Sequence, residues 1–480
     1  MLNIILVPLY TDASVISKSS DYASIIILFA YIVFGNTFLS YGLETAFFRF
    51  RSKTEDKKLV FSTALQSIFW TTTLALTIAL LFRSTISQYV GVNAEYVTYI
   101  LWILALDAWV VIPFARLRAE GQATFFAFIK IFNVSVNIGL NLFFLLFLPR
   151  NFENNNFFQT IYFENYEVGY IFLANLLASL ITFVILGYNY FFYKIDFSFK
   201  LWRNMLAYGF PILLSGLAFA INENLDKILL DKLGVDKSII GAYGACYKLG
   251  IFMILFRTAY SLGIEPFFFS HSNQKHATQT YANVTKYFII AGALFSLFII
   301  INLDLFKHYF VRNEAYFSAI QIVPIIILAN FFLGIYTNLS IWYKLIDKTY
   351  VGAIVSILGA LITIGINLIF IPIYGYMASA VATIVTYAGM CLISYYWGQK
   401  KYPIPYDKAA IKLYLGLSTA FIFIYFYYFR ENYWVGYGFL FILLATIFFR
   451  ERDKFKEETK TIEEKLEEPE IILSNDSETN

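Results

Sequence analysis

SYGLETAFF at residues 40–48 recurs as SLGIEPFFF at residues 261–269. With the chain shifted by 221, Ser40/Ser261, Gly42/Gly263, Glu44/Glu265, Phe47/Phe268 and Phe48/Phe269 coincide. Phenylalanine is abundant here, so the Phe matches carry little weight. A matched Gly-x-Glu at the end of a long apolar segment carries more. A second match follows at a shift of 226, where seven of the eighteen positions 127–144 agree, Asn141/Asn367 and Gly139/Gly365 among them. Self-similarity at this spacing predicts an internal duplication. The repeat unit holds six helices. An even number preserves orientation, so the two copies are parallel and related by an axis along the membrane normal. In secondary transporters that symmetry puts the substrate between the halves and permits rocking.

Outward from these segments the chain is a series of apolar runs. Of its 480 residues, 59% are hydrophobic and 14% charged, against about 25% charged in soluble domains. A soluble globular protein is excluded. Runs of 18 or more apolar residues cross a bilayer as helices, since about 20 residues at 1.5 Å rise span the hydrocarbon. Thirteen are present: 22–48, 59–82, 96–115, 122–148, 166–193, 204–225, 239–264, 282–302, 316–342, 350–371, 373–397, 408–429 and 432–450. Residues 1–10 read as the end of another, which makes 22–48 the second span. The expected fold is all-α and polytopic: thirteen full spans and a partial first one, as two parallel six-helix repeats with two extra C-terminal helices. The expected divisions are a first lobe at 1–200, a second at 201–400, two added spans at 401–450 and an acidic tail at 451–480.

Loop charge sets orientation. The loops after even-numbered spans, up to the twelfth, hold eighteen Lys and Arg, and the opposite set holds nine. The even side is therefore expected to be cytoplasmic, with both termini there. The tail carries five basic and eleven acidic residues; residues 455–468 suit a short surface helix and the rest disorder. The start is apolar without a basic leader region, so no signal peptide is expected. The shift of 221 maps residues 206–221 before Met1, so the first helix is expected to lack its first half. Residues 1–10 would span only about 15 Å. Cys246 and Cys391 read as core residues, and His271, His276 and His308 form no ligand cluster.

Charges inside spans are costly and face cavities or partners by default. Asn36, Ser40 and Glu44 recur every four residues as one stripe, and Arg257, Ser261 and Glu265 hold the equivalent positions. Facing each other, the stripes would line a central cavity. The plainer reading of Glu44 and Glu265 is anchoring at the headgroup level. Lys248 precedes Arg257 by nine residues, which at about 100° each puts the two on opposite faces unless the helix bends. Asp107 and Lys130 flank a hairpin at comparable depth, as a structural pair or a coupling-ion site. Glu223 and Lys227 stand i, i+4 with Asp226 between them, as an ion group or simply a helix end. Gly209 and Pro211 interrupt the seventh span, as a mobile break or a packing feature.

No nucleophile elbow, phosphate-binding loop or metal-ligand spacing is present, so no enzyme and no cofactor are expected. The absence of an inserted soluble domain disfavours a membrane glycosyltransferase, polymerase or assembly scaffold. LVPLYT (6–11), DYA (21–23), YGLETAFFRF (41–50), GFPILLSG (209–216), LDKILL (225–230) and GAYGACYKL (241–249) resemble the bacterial oligosaccharide flippases, the polysaccharide-transporter branch of the MOP superfamily, with a MATE-like fold. The resemblance covers nearly the whole chain. It implies translocation of an undecaprenyl-pyrophosphate-linked oligosaccharide, an O-antigen or other surface-polysaccharide unit, across the bacterial inner membrane by alternating access. Arg257, Lys130, Lys248 and, at the cytoplasmic mouth, Arg49 would contact the pyrophosphate. Glu44, Glu265, Asp107, Glu223 and Asp226 would gate or couple to an ion. Asn36, Ser40 and Ser261 would form the polar stripe. Implied partners are the lipid-linked oligosaccharide, membrane lipids, a polysaccharide polymerase and chain-length proteins, with no nucleic acid. Two alternatives share the fold: a cation-coupled drug or metabolite exporter, which would favour carboxylates in the cavity, and a lipid II flippase.

Overall fold

The computed structural model describes residues 2–16, 18–154, 156–191, 196–270, 276–346 and 348–467. Within these ranges side chains are described from residue 6 to 452, except at 154, 189, 191, 265, 266, 269 and 270. The side chain of Glu265, His271 and the chain after 467 thus lie outside the described residues.

Every described element is helical. The main helices are α1 (Leu2–Tyr10), α2 (Ser19–Ser40), α3 (Leu43–Lys53), α4 (Lys57–Leu81), α5 (Ala94–Ala119), α6 (Ala123–Asn151), α7 (Glu167–Leu186) and α8 (Phe199–Lys232). They continue as α9 (Lys237–Lys248), α10 (Ile251–Ser270), α11 (Ala277–Ile301), α12 (Glu314–Leu345), α13 (Tyr350–Tyr374), α14 (Tyr376–Lys401), α15 (Lys408–Phe429) and α16 (Tyr433–Glu467). Among the described residues twelve spans, with α2–α3 taken as one, are long and apolar enough to cross a membrane; α9 with α10 gives a thirteenth, bent by 41°. The protein is an all-α, multi-pass membrane protein with the thirteen spans the sequence predicts.

Packing divides the chain into two compact units, Met1–Tyr281 with Leu303–Ile404, and Ala282–Asn302 with Pro405–Asn480. In the first, the duplication is visible in the packing: α7 lies against α5 and α6, and α14 lies in the same way against α12 and α13. The matched Asn141 and Asn367 occupy the same niche. Each is fully buried, and each amide donates to the carbonyl four residues back, Asn137 at 2.8 Å and Thr363 at 2.7 Å. Their Oδ1 atoms accept from Tyr10 at 2.8 Å and Ser379 at 2.7 Å. Buried amides are retained where every donor and acceptor is matched.

In the second unit α11, α15 and α16 are joined by a buried ion pair, Lys286 to Glu451 at 2.5 Å, with Tyr414 donating to the same carboxylate at 2.7 Å. Near the other end of α11, Tyr437 donates to Asn302 at 3.0 Å.

Four local expectations are corrected. The second span is broken: α2 ends at Tyr41, whose φ is 33°, and Gly42, with φ 70°, starts α3. The eighth span is broken at Leu249–Gly250. The seventh is not broken, because α8 runs unbroken through Pro211. Gly209 is a packing feature: a Cβ there would lie 2.8 Å from the Tyr41 carbonyl oxygen. Finally, α16 continues to Glu467 without a separate surface helix, since no Gly or Pro interrupts it after Gly438.

The contact between the two repeats is close because small residues let backbones meet, the main source of helix association where lipid supplies no hydrophobic drive. At Gly241, in the GAYGACYKL segment, a Cβ would sit 2.2 Å from the Ser19 carbonyl oxygen. This glycine seats α9 on α2.

Candidate functional site

A cavity of about 670 Å³ lies within the first repeat, between α2, α5, α6 and α7, with Glu44 of α3 at its edge. The stripe Asn36, Ser40 and Glu44 forms one wall. The break at Tyr41–Gly42 falls within the stripe, yet all three side chains still reach the cavity. Asp107 of α5 and Lys130 of α6 face the same space. They form no direct ion pair but lie within electrostatic reach of each other. The Asp107 carboxylate accepts from Ser179 at 2.8 Å and from Asn36. The Lys130 ammonium lies 4.1 Å from the centroid of the Phe114 ring. A ring face stabilises a cation only modestly, so this charge is left available.

Asparagines line the remainder. Asn133 donates to Thr182 at 2.9 Å and to the Ala178 carbonyl at 3.0 Å, and Asn137 donates to Asn175 at 2.9 Å. Sequence reasoning passed over these residues. The signal was present, since Asn133, Asn137 and Asn141 recur every four residues, as Asn36, Ser40 and Glu44 do.

Arg118 completes the cavity mouth. Its guanidinium pairs with Glu44 and lies 5.0 Å from the Phe48 ring centroid and 5.4 Å from that of Phe126. Nearby, Glu120 binds both Arg51, at 3.3 Å, and Arg116, at 2.9 Å. Arg49 is not part of the lining; it stacks over Tyr208 of α8 at 4.1 Å.

The charges of the second repeat gather elsewhere. Asp226 and Lys227 of α8 are 4% and 6% exposed, so they belong to the core and are not a solvated helix end. Lys227 donates to Asp226 at 2.8 Å and to the Glu223 carbonyl at 2.7 Å, and its ammonium lies 4.2 Å from the Tyr247 ring centroid. Tyr243 donates to Asp226 at 2.5 Å, and Tyr387 of α14 donates to the Glu223 carboxylate. Arg257 lies within electrostatic reach of Tyr247 and Tyr387, with its Nε buried and unpartnered.

The bend at Leu249–Gly250 brings Lys248 and Arg257 to this same group, as a straight helix could not. Lys248 also lines a small cavity of about 190 Å³ with Lys227, Asn224, Tyr10 and Tyr22. The two stripes therefore do not line one described cavity. The first lines the large cavity, and Arg257 and Ser261 line neither it nor the small one.

Cys246 and Cys391 are buried, their thiols directed at the Tyr316 and Phe332 carbonyls at 3.2 and 3.0 Å. Among the described residues no group of three or more His, Cys, Asp or Glu could hold a metal ion.

No protein-family model matches the chain, and no curated protein matches its sequence. Its fold does match solved structures. The inward closed conformation of the lipid II flippase MurJ superposes with a TM-score of 0.73 at 15% identity, over 95% of this chain and 97% of that one. An inward-facing multidrug resistance MATE family transporter of the MOP superfamily gives 0.64 at 15% identity, over 83% and 93%. An outward-facing conformation of such a transporter gives 0.56 at 17% identity, over 83% and 93%. The chain thus has the MATE-like fold of these flippases and exporters.

Proposed function

We propose that the protein is a flippase that carries an undecaprenyl-pyrophosphate-linked oligosaccharide, the unit of a surface polysaccharide, across the bacterial inner membrane by alternating access. The observation that carries this reading is the cavity of about 670 Å³ in which Lys130 forms no direct ion pair among the described residues and Arg118 stands at the mouth, between walls rich in asparagine. Moving a pyrophosphate through low dielectric requires compensating positive charge. Amides and hydroxyls suit a sugar head, which both donates and accepts hydrogen bonds. The isoprenoid tail stays in lipid. Fold similarity to a lipid II flippase over 95% of the chain supports lipid-linked cargo, and the motif resemblance supports the polysaccharide branch. The first and second lobes, residues 1–200 and 201–400, would rock about the Gly42–Gly209 and Gly241–Ser19 contacts. Both termini would lie in the cytoplasm, as the loop charges predict.

A second reading keeps one observation in its favour. Asp107, held by Ser179 and Asn36 in the same cavity, is the kind of carboxylate a cation-coupled exporter uses.

Deletion of the gene separates these readings. The flippase reading expects loss of surface polysaccharide and build-up of its lipid-linked unit on the cytoplasmic leaflet, both restored by the wild-type chain. Unaltered polysaccharide with heightened sensitivity to cationic drugs would favour the exporter. Arrest of peptidoglycan synthesis would favour lipid II.

A further inference from the structure

At one end of the second repeat, α12, α13 and α14 enclose a cleft of about 360 Å³ that the transport reading does not use. Its lining includes Lys348 from the turn between α12 and α13, and Lys400 and Lys401 from the end of α14. Among the described residues none of the three ammonium groups forms an ion pair or a hydrogen bond, and no described Asp or Glu lines the cleft. Three ammonium groups around one hollow repel each other, and an anion among them relieves that repulsion.

The cleft has an aromatic floor. Trp342 is buried there, its indole N–H donating to the Ser394 carbonyl at 3.2 Å. It fits because position 398 is glycine: a Cβ would stand 2.8 Å from the ring. Trp397 and Tyr350 are partly exposed at the rim. Tryptophan, tyrosine and lysine together mark the depth of lipid headgroups. Below the rim, Tyr350, Ile354, Ile357 and Leu361 of α13 are all exposed and follow the i, i+4, i+7, i+11 spacing of one helix face. An apolar track therefore descends from the basic hollow into the membrane.

We propose that this cleft is a binding site for an anionic membrane lipid. Its phosphate would be held by Lys348, Lys400 and Lys401, and an acyl chain would lie along the Tyr350–Leu361 face. Free phosphate shares the headgroup chemistry but makes no use of the track, which is why the structure favours the lipid. Basic pockets between membrane helices recognise phospholipid headgroups on the same principle.

The test uses the full chain purified in neutral detergent. Native mass spectrometry would count bound cardiolipin, phosphatidylglycerol and phosphatidylcholine, and thermal shift would be read with each lipid and with inorganic phosphate. The wild type is expected to retain cardiolipin and phosphatidylglycerol and to be stabilised by them. The triple variant Lys348→Gln, Lys400→Gln, Lys401→Gln should retain at least about fivefold less of both, with phosphatidylcholine unaffected. The corresponding triple Lys→Arg variant should bind like the wild type, which separates charge from damage to the fold. Ile357→Asp, which leaves the lysines in place, should also weaken retention. Equal retention of anionic lipid by the triple Gln variant and the wild type would overturn the proposal. Stabilisation by inorganic phosphate equal to that by lipid would also overturn it, by showing an anion site without lipid selectivity.

Discussion

Gly42 and Gly209 meet backbone to backbone: a Cβ on Gly42 would lie 2.4 Å from the Gly209 carbonyl oxygen. This contact joins α3 of the first repeat to α8 of the second where α2 breaks. The left-handed backbone of Gly42 costs an ordinary residue about 1–2 kcal/mol, and the overlap adds to that. Gly42→Ala should therefore lower the thermal midpoint of the purified protein by several degrees, about 2–4 °C per kcal/mol or less in a chain this long. Gly263→Ala is the control. The matched glycine has nothing within 4 Å of its Cβ position and sits in unbroken helix, so this change should leave the midpoint unchanged or raise it.

The Glu44–Arg118 pair at the cavity mouth acts as a latch on this reading. Exposed pairs contribute at most about 1 kcal/mol, so its loss shifts the opening equilibrium by about two- to fivefold. In Glu44→Gln, a cysteine at Ser40 should react faster by that factor with a membrane-impermeant maleimide. The charge swap Glu44→Arg with Arg118→Glu should bring the rate back. Unchanged labelling in Glu44→Gln would remove the latch.

Asp226 and Lys227 make a different prediction because they are buried. Lys227→Met strands a carboxylate in the core, and breaking a buried pair costs about 3–5 kcal/mol. Folded protein in the membrane should fall sharply. The double variant Asp226→Asn with Lys227→Met should recover most of it, since Tyr243 and the amide can still bond.

Arg257 belongs to the same charge group but has no ionic partner among the described residues. Arg257→Ala should leave protein levels near normal, because no ion pair is lost. If the guanidinium meets the travelling pyrophosphate, export falls in Arg257→Ala and is partly kept in Arg257→Lys. Full export by the Ala variant would assign Arg257 a purely local role.

Much of this architecture was legible in the sequence, because helix length and hydrophobic content are set locally. The thirteen spans follow from that, and Asn141 and Asn367 disclosed a duplication that the structure repeats in the bond each amide makes to the carbonyl four residues back. The breaks were not legible. Gly42 and Gly263 sit in matching motifs, yet only Gly42 faces another backbone, so tertiary contact decides which glycine ends a helix. The reverse holds for Gly209, which suggested a break and is a packing surface. The cavity was half legible. Asn36, Ser40, Glu44, Asp107 and Lys130 were found by their cost in lipid. Asn133, Asn137 and Asn175 were overlooked because a neutral amide costs less than a charge. Partnerships such as Glu44–Arg118 and Tyr387–Glu223 join residues far apart in sequence, where no periodicity points from one to the other.

The central claim is that the cations of the first-repeat cavity carry the pyrophosphate. Lys130 tests it most directly, since its ammonium lies 4.1 Å from the Phe114 ring centroid and forms no ion pair among the described residues. The measurement is translocation of an undecaprenyl-pyrophosphate oligosaccharide in proteoliposomes, with the thermal midpoint of each variant recorded alongside. Lys130→Ala should reduce the rate by about tenfold or more, equivalent to about 1.4 kcal/mol, with an unchanged midpoint, and Lys130→Arg should keep a substantial part of it. Translocation by Lys130→Ala at the wild-type rate would contradict the account.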